Sequence, residues 1–484
     1  MGYGHAKILV SFDFFLDKGA EVCMLSLDET KKFQRQHRIE QERWLSATVR
    51  KHLGADALIR SMRTSFEQVG ETRKGNPQIS MEDALMSSYA MFSLKDPSML
   101  AFERRRRTQG HNLKTVYKLK AIPCDTQMRT ILDPLPPDEL RPAHNNILNA
   151  LQRGKALEEM QYLDEGYLMP LDGTGYFSSE KLFSEHCQQK TSADGKVSYY
   201  LQMLGAALVH PERKEVIPLI PEIISRQDGS LKNDCELNAS RRFLTKFRAE
   251  HPHLKIVVAQ DAISPNGPYI RFLKENGYHF ILGVKDSDHA HLFTHFDEIV
   301  NKREAEHLII EDPKHPDRYH FFHWVNGLAI NASHGDVLVN LLEYYQVTGG
   351  ETKRFSWVTD IPLTKESVYR IMRAGRARWK IENETFNTLK NQGYHLEHNY
   401  GLGKQYLSMI FVKMTMLAFL VDQAQQLCCA LFQAVLKKVG SKKALWEQMR
   451  SLFHCFKLTS MEMLYRAILH GFVLQEPVIT QDTS

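Results

Sequence analysis

Apolar residues recur every three or four positions through residues 365–391. Val368, Met372, Gly375, Trp379, Phe386 and Leu389 fall on one face, which predicts a helix with a core-facing stripe. One acid, Glu382, interrupts that stripe. A carboxylate there is costly unless it is protonated, ion-paired or bound to a metal. Arg378, one turn earlier, offers an ion pair; a divalent cation at the edge of the core offers the other explanation. Glu384 sits about 200° further round the helix and is expected to face water.

The first 160 residues carry helical periods, including a mixed-charge stretch at 31–53. Ser80-Met81-Glu82-Asp83 reads as a capping box opening an apolar helix through Leu94. Pro134, Pro136, Pro137 and Pro142 mark a linker. Strand patterns follow at 167–177, 198–209 and 216–224, then a helix at 233–250 and a short buried strand at 255–259 that ends in Gln260-Asp261. A helix at 267–276 and a fifth strand at 279–285 complete this stretch. The order predicts an α/β fold with a mixed sheet in which only the later strands have crossover helices. Residues 287–363 hold five short β-rich runs between Gly, Pro, Asn and Asp, which read as an all-β insertion. The expected divisions are a helical region at 1–160, a core at 161–286 resuming at 364–403, the insertion at 287–363 and helices at 404–484.

Composition adds three constraints. With 484 residues and 43% hydrophobic content, the chain has material for several cores. Its seven cysteines include no C-x-x-C, which argues for a reducing compartment and against a disulfide scaffold or zinc module. The apolar run at 8–16 contains Asp13 and lacks a small-residue cleavage site, so no signal peptide is expected; residues 1–23 have little helical logic, which fits translation from Met24. The apolar run at 407–421 is short for a membrane span and contains Lys413, so it reads as a buried helix.

The net charge of +5 is unevenly spread. Residues 103–120 set Arg104, Arg105, Arg106, Arg107, Lys114, Lys118 and Lys120 against Glu103 alone. Residues 365–378 set Lys365, Arg370, Arg373, Arg376 and Arg378 against Glu366. Such density suits a phosphate backbone, because each neutralised phosphate releases counterions; a solvated face is the plainer alternative.

Three carboxylates then stand out. Asp172 lies where the first strand turns polar, Asp261 at the C-terminal end of the fourth strand, and Glu382 on the later helix. Brought together, they would offer the oxygen ligands that suit a pair of magnesium ions for phosphodiester chemistry. Each has a plainer reading: Asp172-Gly173 as a hairpin turn, Asp261 as a loop start that caps the next helix, and Glu382 as the partner of Arg378. His289, His291 and His295 read as a surface group.

The chain resembles the DDE transposases of bacterial insertion sequences, in the hairpin-type cut-and-paste branch with a β-strand insertion domain. The residues that carry the resemblance are 172–177 (DGTGYF), 259–261 (AQD), 357–362 (WVTDIP) and 378–383 (RWKIEN), with weaker likeness across most of 80–403. The resemblance implies a ribonuclease-H-like core with Asp172, Asp261 and Glu382 as the metal-binding triad. Two Mg2+ ions would bind there, with Mn2+ as a substitute. It implies that Trp357 stacks on a flipped base, the alternative being a core tryptophan. It also implies that Arg378 and Lys390 contact phosphates near the scissile bond. Two positions depart from the family pattern: Gly375 stands where the family has tyrosine, and the lysine falls eight residues after Glu382 rather than seven.

The expected function is metal-dependent cleavage and strand transfer on double-stranded DNA, at terminal inverted repeats and target, by a homodimer in the bacterial cytoplasm at the nucleoid. Arg104, Arg105, Arg106, Arg107, Arg373 and Arg376 would hold the backbone. A catalytically silent DNA-binding regulator and a nuclease without strand transfer are the alternatives.

Overall fold

The computed structural model describes residues 51–164, 166–225, 235–261, 265–312 and 315–471; the sequence expectations for residues 1–50 lie outside them. These residues divide into two compact units, one of residues 51–259 with 376–471 and the other of residues 260–375.

The first unit begins with five helices: α1 (Ala55–Phe66), α2 (Met81–Ser93), α3 (Met99–Tyr117), α4 (Asp125–Leu132) and α5 (Arg141–Arg153). Half of the expected capping box forms. The Ser80 hydroxyl accepts the Asp83 N–H at 3.1 Å, but the buried Asp83 carboxylate accepts the N–H groups of Lys120 and Ala121 instead. A tertiary bond to a passing loop has taken the place of the local one.

Seven strands follow: β1 (Gln161–Tyr162), β2 (Gly166–Ser179), β3 (Gln188–Thr191), β4 (Val197–Val209), β5 (Val216–Pro218), β6 (Glu222–Ile224) and β7 (Ile256–Gln260), with α6 (Glu236–Glu250) between the last two. β2 pairs antiparallel with β4 along most of its length and parallel with β7, where Pro170 lies opposite Ala259. Residues 166–171 are buried throughout, as expected of a strand covered on both faces, and burial becomes partial from Asp172 onward. The expected third strand divides into β5 and β6, both paired with β4.

The second unit contains α7 (Gly267–Glu275), β8 (His279–Gly283), α8 (Ala290–Asn301), β9 (Glu306–Glu311), β10 (Arg318–Ala329), β11 (Leu338–Thr348), β12 (Glu351–Thr359) and the start of α9 (Val368–Ala377). Its sheet runs β8-β12-β11-β10-β9, antiparallel throughout. The expectation of an all-β insertion is corrected here: residues 290–301 form a helix that buries Leu292, Phe293 and Phe296. The runs at 319–324 and 328–331 belong largely to one strand, β10, whose register shifts between Val325 and Leu328. Alternation sends Phe322, Tyr344, Phe355 and Trp357 to one face, where successive rings stack 5.1–5.9 Å apart. Tyr369 of α9 meets Phe322 edge-on.

The chain re-enters the first unit at Arg376. A π-helical turn, Ile381–Phe386, leads into α10 (Asn387–Asn391). Four helices finish the described chain: α11 (Leu407–Cys428), α12 (Ala430–Val439), α13 (Lys442–Cys455) and α14 (Met461–His470). α11 is longer than expected, and by length and composition it passes for a membrane span, yet 94% of its apolar window is buried inside the protein. It packs on α2, α5, α12 and β5, and burying a side chain such as Phe419 or Leu417 contributes roughly 1.5–3 kcal/mol. The protein is thus a mixed α/β structure with helical regions before and after its strands.

Candidate functional site

Asp172 sits in the middle of β2, directly opposite Gly205 of β4. The Asp-Gly pair is therefore strand and not a hairpin turn. Residue 205 is glycine because the Phe386 ring lies where a side chain would go: a Cβ there would be 2.5 Å from the ring. That close approach seats the π-helical turn against β2 and β4, four residues after Glu382.

The predicted stripe fails in its second half because the chain there is not one regular helix: α9 ends at Ala377, a tight turn holds Arg378 and Trp379, and the π-helical turn begins at Ile381. Asn387 donates its N–H to the Glu382 carbonyl, five residues back, so the helix carries one extra residue and its faces shift. Before the break, Val368, Met372 and Gly375 are buried as expected. Trp379 is expelled and 50% exposed, whereas Ile381, Thr385, Phe386 and Leu389 are buried. Glu382 leaves the stripe for the edge of the core, with 37% of its side chain exposed.

There it meets Arg378. The guanidinium donates to Glu382 Oε1 at 2.9 Å and to Asp172 Oδ2 at 3.3 Å, while Asp172 Oδ1 accepts the Gly173 N–H at 2.9 Å. Burial pushes the Asp172 carboxyl above its ordinary range; Arg378 pulls it down, and Glu236 and Glu382 push it up again. Glu236, in the first turn of α6, is the acid that the sequence did not single out. Its carboxylate occupies the space that a side chain at Gly173 would need. Glu384, expected to face water, is half-buried, and its charge acts on Lys442 of α13.

The structure thus brings Asp172, Glu382 and Arg378 together, with Glu236 nearby. Asp261, half-buried, follows the end of β7 in the second unit. Two carboxylates that share one guanidinium supply the oxygen donors a hard cation takes, and magnesium is commonly held by one or two carboxylates with water completing its shell. Among the described residues, no three His, Cys, Asp or Glu side chains cluster closely enough to ligate an ion by themselves.

The remaining expected residues scatter. Trp357 is 6% exposed, stacked between Phe355 and Tyr344. Its indole lies 2.6 Å from where a Cβ at residue 375 would be, which is why that position is glycine and has no room for tyrosine. Lys390 Nζ pairs with Glu397 at 2.8 Å. Arg373 is half-buried and Arg376 exposed. Of the arginine run on α3, Arg105 is buried against Asp96 at 2.7 Å, Arg106 pairs with Glu103 at 2.7 Å, and only Arg104 and Arg107 are exposed. His289 and His291 line a cavity of about 580 Å³ in the second unit with Lys285, Asp288 and Asn266.

No protein-family model matches this chain, and no curated protein sequence does.

Proposed function

We propose that the protein is a magnesium-dependent DNA strand-transfer enzyme of the transposase type, with Asp172, Asp261 and Glu382 as its metal-binding acids. One observation carries the proposal: Asp172 of β2 and Glu382 of a distant π-helical turn converge on a single cationic group. Asp261 enters from the sequence alone, as the acid that closes the Ala259-Gln260-Asp261 stretch. When bound, the divalent ions would lower the pKa of an attacking water or hydroxyl and stabilise the leaving oxygen.

The chain's own residues would do the rest. Asp172 and Glu382 would hold the cations, and Arg378 would donate to a phosphate oxygen at the scissile bond. The exposed Arg104, Arg107 and Arg376 would hold the duplex backbone without reading sequence. Working on two DNA ends at once calls for a homodimer on DNA, and bacterial cytoplasm is the compartment this function requires.

A catalytically silent DNA-binding regulator is the second reading. It draws on Arg378 already engaging both acids and on the absence of a tight three-ligand cluster among the described residues. Incubating the protein with Mg2+ and a linear duplex that carries the element's flanking repeats separates the two. Strand breaks at the repeat ends followed by joined products support the enzyme; binding with intact strands supports the regulator. Breaks without joining identify a nuclease.

A further inference from the structure

We infer that Arg378 is the resident cation of the acidic pair, and that a metal ion can bind only as this arginine lets go of one or both carboxylates. The inference rests on the reading of Asp172 and Glu382 as metal ligands. It goes further, in making Arg378 a positioning residue that links metal arrival to phosphate capture.

The geometry is that of a substitute ion. One terminal nitrogen of Arg378 faces Asp172 and the other faces Glu382. The Arg378 side chain is mostly buried, at 13% exposure, and so is the Asp172 side chain, at 18%. A guanidinium cannot lose its charge, so in the metal-free protein it remains a fixed counter-ion for two acids that would otherwise repel each other. Glu236 adds a third negative charge nearby, which strengthens the need for a counter-ion.

A divalent ion between the same two carboxylates would bring its own charge to the ground the arginine holds. Two cations cannot share that pair at close range without strong repulsion, so metal and guanidinium compete. The displaced arginine has one adjacent support, the exposed Trp379 ring, over which its guanidinium carbon already lies at 5.2 Å. From there its planar fork suits bidentate contact with a phosphate. The arginine would thus be released toward DNA at the moment the metal is loaded. It would hold the site together while empty and meet the backbone once the site is filled.

The test uses the full chain without DNA. Mn2+ binding is measured by calorimetry for wild type, Arg378→Gln and Arg378→Lys, and each protein is melted in chelator and in Mn2+. The competition predicts that Arg378→Gln binds Mn2+ several-fold more tightly than wild type and melts lower in chelator, with Mn2+ raising its Tm more. Arg378→Lys, which keeps a charge but not the two-pronged contact, falls between them in affinity. Wild type that binds Mn2+ while both variants bind it equally or more weakly overturns the competition alone. If none of the three proteins binds Mn2+, the acidic pair is no metal site, and the proposed function falls with it.

Discussion

Arg378 donates to Glu382 at 2.9 Å and to Asp172 at 3.3 Å, joining a π-helical turn to the middle of β2. Glu382 and Asp172 are 210 residues apart in the chain, and nothing in the local sequence around either specifies the other. Four residues after Glu382, the edge of the Phe386 ring is seated against Gly205 of β4. Gly205→Ala is expected to push the ring away and loosen that seat, at a cost of about 1–3 kcal/mol for an overpacked core. Reduced Tm together with weaker Mn2+ binding would support this; lower Tm with unchanged metal binding would show that the turn is seated by other contacts.

A second glycine yields a sharper contrast. In an exposed helix, Gly→Ala is stabilising by up to about 1 kcal/mol. At Gly375 the Trp357 indole is 2.6 Å from the new Cβ, so Gly375→Ala is predicted to destabilise by about 1–3 kcal/mol. Pairing it with Trp357→Leu should return part of that loss. Denaturant midpoints of the two single variants and the double variant decide it, and strictly additive losses would contradict the clash.

The buried ion pair of the helical region offers a stability test away from the candidate site. Lys95 Nζ donates to Asp422 Oδ2 at 2.5 Å and to the Ser93 carbonyl at 2.8 Å, and it lies 4.0 Å over the Trp446 ring. Tyr394 donates to the same carboxylate oxygen at 2.7 Å. Removing one partner strands a buried charge, so Lys95→Met is expected to cost about 3–5 kcal/mol. A loss below about 1 kcal/mol would mean that water reaches Asp422 once the lysine is gone.

His144 gives the pH dependence. It is fully enclosed, its Nδ1 lies 3.1 Å from the Leu140 carbonyl, and burial, with Lys413 and Arg141 nearby, lowers its pKa from 6.5 to about 3. The unfolded chain takes up this proton near pH 6.5 and the folded protein resists until about pH 3. The stability contributed by the neutral ring is therefore complete above pH 6.5 and lost as pH falls toward 3. His144→Gln should flatten the fall of Tm over that interval; an unchanged slope would place the acid sensitivity elsewhere.

The arginine run on α3 should separate into two roles. Arg105→Ala is expected to lower Tm, because it strands Asp96 in the interior. Arg104→Ala and Arg107→Ala should leave Tm nearly unchanged and weaken duplex binding, each reducing the salt slope by about one. Filter binding at several salt concentrations tests this, and full-strength binding by both exposed variants would remove α3 from the DNA interface.

Much of the fold was legible because its strands are short apolar and β-branched runs bounded by turn residues. β2, β4 and β8–β12 lie within a few residues of where those runs placed them. The helix α8 was missed because its three buried residues are interrupted by Thr294 and His295 and flanked by His291 and Asp297, which look like loop composition. The site was half legible. Asp172 and Glu382 stood out, one as an acid where a strand turns polar and the other as an acid in an apolar stripe. Glu236 did not, because its significance lies in filling the space above Gly173, a contact between a helix and a strand far apart in sequence. Likewise, a strict 3.6-residue period hides the end of α9 at Ala377 and the tight turn after it, so Trp379 was assigned to the core and is in fact exposed.

The most direct test of the central claim compares wild type, Glu382→Gln and Glu384→Gln for Mg2+-dependent cleavage and joining of a linear duplex bearing the flanking repeats, with DNA binding measured alongside. The two acids are two residues apart, but one shares Arg378 with Asp172 and the other acts on Lys442. Glu382→Gln is expected to bind DNA and neither cut nor join, while Glu384→Gln does both. Cleavage by Glu382→Gln at the wild-type rate, or a wild type that binds and never cuts, would contradict that claim.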